Sequence, residues 1–277
     1  MEIRLLFESD IPAAMRLKEA AGWNQTEDDW RRLLLLEPNG CFCAIKDGCV
    51  VGTTTTTTYG DELAWIGMVL VDSQHRRQGI AAKLMSVALD YLNGKVATVK
   101  LDATALGQPV YEKFGFQFES LIERWSGTER LQSEEQGDIG RYALSELLAL
   151  DRIAFNADRS KLIEALIDTA SVPPVLVRGA NGALSGYAMV RSGTRADYVG
   201  PIVTKDAQQV EPLITQMLNR LSDRRVYIDF NTECGGGSGF LYDRGFVKER
   251  DLIRMRAGRP SPKTSSLIVG IAGPEIG

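Results

Sequence analysis

Between Val69 and Leu84 the chain reads Val-Leu-Val-Asp-Ser-Gln-His-Arg-Arg-Gln-Gly-Ile-Ala-Ala-Lys-Leu. An apolar run enters a turn carrying two arginines and a glycine, and helical spacing begins at once. The first turn of a helix leaves backbone N–H groups unpaired and carries the positive end of the helix dipole. Gly79 and the small Ala81 and Ala82 let the oxygens of an anion approach that backbone, and Arg76 and Arg77 add charge. On residue type alone the segment is either a phosphate site or an ordinary helix start with exposed arginines. Other nucleophilic or metal chemistry finds little support. The four cysteines form no CxxC pair, and His75 is the single histidine, so a zinc site is not expected. Nothing pairs Cys41, Cys43, Cys49 or Cys234 with a base, and His75, just before the loop, is expected to be exposed.

The elements that must position this loop follow from punctuation and periodicity. Glu2–Phe7 reads as a strand. Ser9-Asp10 and Pro12 start a helix that ends at Gly22, and Thr26 with three acids behind it starts a second. Cys41–Ile45 and Val50–Tyr59 flank Lys46-Asp47-Gly48, a hairpin turn. The six consecutive threonines at 53–58 favour a strand over a linker because threonine is β-branched. Leu63–Val71 and Val96–Leu101 are further strands around the helix Ala81–Leu92. Pro109–Phe114 is a short helix and Phe116–Trp125 a closing strand. This order predicts an α/β mixed sheet with helices on its faces.

The pattern then recurs. Trp65-Ile-Gly-Met-Val-Leu-Val71 aligns without a gap on Tyr198-Val-Gly-Pro-Ile-Val-Thr204. The strand–turn–strand at 42–52 resembles that at 175–186, Leu101-Asp102 resembles Ile228-Asp229, and Tyr111–Phe116 resembles Leu241–Phe246. Two copies of one fold are expected, 1–128 and 142–277, joined by the polar stretch 126–141. The tail after the Pro/Ser-rich 258–266 is expected to return a short apolar strand, Leu267–Ile271, to a sheet.

In the first copy, Arg76-x-x-Gly79-x-Ala81, the strand before it and Tyr-Glu-Lys-x-Gly-Phe at 111–116 resemble the GNAT superfamily of N-acetyltransferases. The resemblance covers roughly residues 1–125. It implies that Arg76, Arg77, Gln78, Gly79, Ile80, Ala81, Ala82 and Lys83 hold the pyrophosphate of acetyl-CoA. It also implies that the strand at Met68, Val69 and Val71 bonds the pantetheine arm where it splays from its neighbour. Tyr111 falls where many relatives keep a tyrosine that protonates the departing thiolate, a group of free pKa ~8.5. Thr104 stands where many carry a CoA-bonding asparagine. Trp23, Asn24 and Tyr59 fall near the region where such proteins meet their acceptor, with core packing the other reading of Trp23. The second copy resembles the C-terminal domain of tandem members, but Pro212 replaces Gly79, Gln209 and Val210 replace the arginines, and Leu241 stands opposite Tyr111. It is expected to hold no cofactor.

These readings imply direct transfer of acetyl from acetyl-CoA to a primary amine of a small molecule in a ternary complex. The alternatives are a protein N-terminus or lysine acetyltransferase and a non-catalytic acyl-CoA sensor. An attacking amine of pKa ~10.4 must lose a proton, and Glu62, Asp102, a carboxylate of the second half or a water relay remain open as its acceptor. No metal is implied. Of 277 residues 44% are apolar and 25% charged, with a net charge of −4, so no general attraction to nucleic acid or anionic membrane is expected. A cytoplasmic monomer or homodimer is anticipated, since acidic residues at the N-terminus disfavour a signal peptide and the cysteines read as reduced, buried thiols.

Overall fold

The computed structural model describes residues 1–128, 141–221, 224–234, 236–259 and 265–277. They divide into two compact units. Unit 1 is Met1–Phe118 with Met255–Ser261 and Glu275–Gly277, and unit 2 is Glu119–Arg254 with Pro262–Pro274. Most of the stretch 126–141 lies outside the described residues.

Unit 1 contains strands β1 (Glu2–Leu5), β2 (Phe42–Lys46), β3 (Cys49–Tyr59), β4 (Leu63–Val71) and β5 (Thr98–Ala103), neighbours in that order. The first four pair antiparallel, while β4 and β5 are parallel. A parallel pair needs a crossover, and helix α3 (Ile80–Leu92) supplies it. Helices α1 (Ile11–Ala20) and α2 (Glu27–Leu36) lie between β1 and β2, and the short α4 (Gln108–Glu112) follows β5. Asp47 and Gly48 have φ of 51° and 77°, the conformation of a two-residue hairpin turn. The threonine run lies wholly inside β3.

Two helix starts differ in origin. Thr26 opens α2 with a capping box: the Asp29 amide donates to Thr26 Oγ1 at 3.3 Å and the Thr26 amide to Asp29 Oδ2 at 2.8 Å. Asp10, expected to cap α1, instead accepts from Nη1 and Nη2 of Arg4, at 2.7 and 2.9 Å. A bidentate charged pair outweighs a single neutral N–H bond.

Unit 2 repeats the scheme. After α5 (Arg141–Phe155) and α6 (Ser160–Asp168) come β7 (Val175–Arg178), β8 (Leu184–Arg191), β9 (Asp197–Thr204), α7 (Val210–Leu218), β10 (Val226–Asn231) and α8 (Gly239–Asp243). Strands β9 and β10 pair in parallel through Asp197–Val199 and Val226–Ile228, as β4 and β5 do through Leu63–Trp65 and Thr98–Lys100. Its core gathers Val199, Ile202, Leu213, Ile214, Met217, Ile228, Leu241 and Phe246.

The closing strands depart from expectation. β6 (Gln117–Gly127), expected to complete the first copy, pairs antiparallel through Ile122–Gly127 with β10 of unit 2. Beside the start of β5, unit 1 instead has the end of β11 (Val247–Gly258) and the residues after it. The Arg259 amide donates to the Ala97 carbonyl at 3.0 Å, and Thr98 Oγ1 to the Arg259 carbonyl at 2.8 Å. Alternating apolar residues specify a strand but not its partner. In β6 the partner is fixed by Arg124, which meets the fully buried Asp229 of β10 in a bidentate pair at 2.7 and 2.6 Å. Trp125 joins the unit 2 core beside it. The returning tail strand is β12 (Ile268–Gly270), paired with β9 and β10.

Candidate active site

The site in unit 1 is built around an interruption in its sheet. Cα pairing between β4 and β5 runs from Leu63↔Thr98 to Trp65↔Lys100 and stops. Ile66–Val71 and Leu101–Ala103 continue without pairing to each other, which leaves their backbone groups facing an opening. On the other side of β4, Leu70 pairs with Thr53 and Gly67 with Thr55, so Met68 and Val69 together oppose Thr54. This is a β-bulge, and Met68 takes φ of 50°, a left-handed conformation that costs a side-chain-bearing residue about 1–2 kcal/mol. Thr53 Oγ1 donates to the Met68 carbonyl at 2.8 Å and holds the bulge. Met68 is buried, whereas Val69 and Val71 are half-buried.

Because β4 and β5 are parallel, their C-terminal ends share one edge, and both candidate loops lie there. From β4 the chain makes a 3-10 turn at Ser73–His75, capped by Asp72, whose carboxylate accepts from the Gln74 amide at 2.9 Å. That bond, with help from His75, holds the Asp72 carboxyl below the usual range. His75 Nδ1 lies 3.3 Å from the same carboxylate, half-buried rather than exposed as expected, and so belongs to the turn. Arg76 Nε reaches back to the Val71 carbonyl at 3.4 Å, and Lys46 Nζ donates to Gln78 Oε1 at 3.1 Å. Arg76, Arg77, Gln78, Gly79, Ala82 and Lys83 are exposed, Ala81 is half-buried, and Ile80 is anchored in the core with Leu84, Phe42 and Val51. Arg77 and Gly79 have φ of 61° and 78°. A Cβ added at Gly79 would meet no atom within 4 Å, so the space over the first turn of α3 is open. Free N–H groups, two arginines and a lysine around an open glycine suit a pyrophosphate.

From β5 the chain turns at Thr104, whose hydroxyl accepts from the Gly107 amide at 3.3 Å, and enters α4. Its donor hydrogen stays available to a ligand. Tyr111 packs edge-on against Phe116, with ring centroids 6.3 Å apart, and its ring fills the space where Gly107 lacks a Cβ. Burial pushes the Tyr111 phenol up to about 12, so it is protonated at neutral pH and able to donate.

The three acceptor-side expectations fare differently. Asn24 is buried and Trp23 half-buried in the connection between α1 and α2. Tyr59 is buried, and its hydroxyl donates to the Ile276 carbonyl at 2.6 Å. Sequence reasoning missed Thr53, whose role only the bulge reveals; Gln25, next to Asn24 in the same connection, is equally buried. All four cysteines are free, with Cys49 exposed and the other three buried. Burial raises the Cys41 thiol to about 12 and the Cys43 thiol to about 11.

Unit 2 has the same frame with different contents. Asp206 caps its turn by accepting from the Gln208 amide at 2.9 Å, as Asp72 does in unit 1. However, β12 enters where β9 and β10 part: Gly270 pairs with both Ile202 and Phe230, and the Ile271 amide donates to the Asp229 carbonyl at 3.1 Å. A Cβ at Gly270 would lie 2.8 Å from the Ile202 side chain. At the start of α7 stand Glu211, paired with Arg244 at 2.9 Å, and Pro212, while Leu241 is fully buried in the core.

A sequence model described as the acetyltransferase (GNAT) family matches residues 7–116, and one described as an acetyltransferase (GNAT) domain matches 147–270. The chain is 27% identical over 256 residues to the uncharacterized N-acetyltransferase YitH of Bacillus subtilis, covering 90% of this chain and 88% of YitH. Among solved structures, a Pyrococcus horikoshii chain superposes with a TM-score of 0.83 at 23% identity over 100% of this chain and 95% of that one. A tandem GNAT protein from the clavulanic acid biosynthesis pathway gives 0.64 at 16% identity, over 94% and 99% respectively. At these identities the structural likenesses speak for the fold. With one matching domain in each half, the chain belongs to the GNAT superfamily of N-acetyltransferases, in its tandem form.

Proposed function

We propose that unit 1 transfers the acetyl group of acetyl-CoA directly to a primary amine of a small molecule, and that unit 2 holds no acetyl-CoA. The observation that carries this reading is the coincidence, at one edge of the sheet, of three features: the β4/β5 opening beside the Met68 bulge, the open first turn of α3, and a protonated Tyr111.

In this reading the N–H groups at the start of α3, with Arg76, Arg77 and Lys83, hold the pyrophosphate. The backbone of Met68, Val69 and Val71 pairs with the pantetheine arm, replacing the β5 partner these residues lack. The amine nitrogen forms a bond to the thioester carbonyl carbon, its excess proton passes to water, through which Tyr111 is reprotonated, and the C–S bond breaks. Tyr111 donates its hydroxyl proton to the departing sulfur, which leaves as a thiol. The raised Cys41 and Cys43 thiols support direct transfer over a cysteine-bound acetyl intermediate, since the thiolate is the nucleophile. In unit 2, β12 fills the corresponding opening and Glu211 with Pro212 removes both charge complementarity and a donor. The net charge of −4 favours a small acceptor over a nucleic acid, and no helix among the described residues is long and apolar enough to cross a membrane.

Thiol release from acetyl-CoA, measured over a panel of small amines and amine-bearing peptides with mass analysis of the products, tests this reading. Acetylated small amines are expected. Turnover restricted to peptides would replace the acceptor class, and cofactor binding without turnover would make the protein a sensor.

A further inference from the structure

Met68 is the residue of β4 whose backbone enters the left-handed region, with φ of 50°. A bulge whose first residue is left-handed ordinarily has glycine there, because a Cβ strains that conformation. Strain of this kind persists only where the surroundings fix it. Here the fixing contact comes from the neighbouring strand, where Thr53 Oγ1 donates to the Met68 carbonyl at 2.8 Å. Thr53 is fully buried, and the single hydrogen of its hydroxyl is used in that bond.

The bond controls more than one oxygen. The Met68 carbonyl and the Val69 N–H belong to one planar trans peptide and point in opposite directions. Holding the carbonyl on Thr53 therefore aims the Val69 N–H away from Thr53, so one side-chain bond sets both polar groups. This peptide lies in the stretch of β4 beyond Trp65↔Lys100, where the Cα pairing with β5 has ended.

The same strand supplies a contrast. Thr57 shares the face of Thr53 and is as deeply buried, but its hydroxyl has no hydrogen-bond partner among the described residues. It stands opposite Trp65, where β4 is still paired with β5. Two side chains of one type thus differ in a single respect, the bond to the bulge.

We propose that Thr53 is a positioning residue of the unit 1 cofactor site: its hydroxyl fixes the Met68–Val69 peptide in the orientation that receives the acyl-pantetheine arm of acetyl-CoA. This rests on the N-acetyltransferase reading above and adds to it a residue that touches neither substrate. Without the bond, the strain at Met68 is no longer opposed, and the peptide relaxes away from the arm.

Titration calorimetry with two ligands tests this: acetyl-CoA, and phosphoadenosine diphosphate, the CoA nucleotide without the pantetheine arm. Thr53→Val keeps the shape and removes the hydroxyl. It should weaken acetyl-CoA binding at least about fivefold, the equivalent of one buried hydrogen bond, and leave the nucleotide within about twofold. Thr53→Ser, which keeps the oxygen, should bind acetyl-CoA within about threefold of the wild type, and Thr57→Val within about twofold. If Thr53→Val does not fold, Thr53→Ala measured against Thr53→Ser decides the matter, since both lack the methyl group and differ only in the hydroxyl. Equal acetyl-CoA affinities for Thr53→Val and Thr57→Val, or equal losses for acetyl-CoA and the nucleotide, would overturn the positioning role and leave the acetyltransferase reading standing. A wild-type protein that binds no acetyl-CoA would overturn both.

Discussion

Replacing Gly79 by alanine separates the cofactor role of the α3 start from its structural role. Gly79 has φ of 78° and precedes the first residue of the helix, and an added Cβ meets nothing within 4 Å. No packing term therefore enters. What remains is the left-handed conformation, about 1–2 kcal/mol for alanine, or a fall in Tm of about 2–8 °C for a protein near this size. Gly94 is a matched control: its φ is 74°, its surroundings are equally empty, and it lies past the other end of α3. Thirteen helical residues put it about 20 Å away. Gly94→Ala should cost the same stability and leave acetyl-CoA affinity intact. Gly79→Ala should weaken acetyl-CoA binding at least tenfold, because the methyl stands where phosphate oxygens must reach the N–H groups and lengthens charge-assisted bonds of about 1.5–3 kcal/mol each. Differential scanning calorimetry reads the first quantity and titration calorimetry the second. Equal acetyl-CoA affinities for the two variants would refute the phosphate loop.

Tyr111→Phe should lower kcat by about 100-fold or more while acetyl-CoA Kd changes less than about twofold; an undiminished kcat would remove the acid role. Since the Tyr111 pKa is raised to about 12, its proton stays in place as rising pH frees the amine. The wild-type rate should therefore rise to pH 10 and beyond without a descending limb, and a fall centred near 10 would contradict that assignment. Asp229→Ala removes the bidentate carboxylate from the buried Arg124 in unit 2, so urea unfolding should show a loss of about 3–5 kcal/mol. A loss below about 1 kcal/mol would mean that the pair does not fix β6 in place.

Local chemistry was the legible part. A strand entering Arg76-Arg77-Gln-Gly79 must turn and start a helix, and β4 spans Leu63–Val71 as periodicity predicts. The repeat is visible because the β4 and β9 segments align without a gap about Gly67 and Gly200, and the two capping aspartates, Asp72 and Asp206, occupy corresponding turns. What stayed hidden depends on distant partners. Nothing within β6 tells that Arg124 pairs with Asp229, so the placement of the closing strand beside β10 cannot be read from the strand itself. The six threonines look equivalent as letters, yet Thr53 locks a bulge, Thr56 and Thr58 bond Gly40 and Glu37, and the buried hydroxyls of Thr54, Thr55 and Thr57 find no partner among the described residues. The tail strand was expected to return to a sheet, but only the register shows it filling the opening between β9 and β10. Glu275 carries no motif at all; the absence of a side chain at Gly67 is what makes room for it.

The central claim is that two copies of one fold share one chain and only the first holds acetyl-CoA. Titration calorimetry of the intact protein with acetyl-CoA tests it most directly. One site per chain is predicted; two sites, or none, would contradict the account.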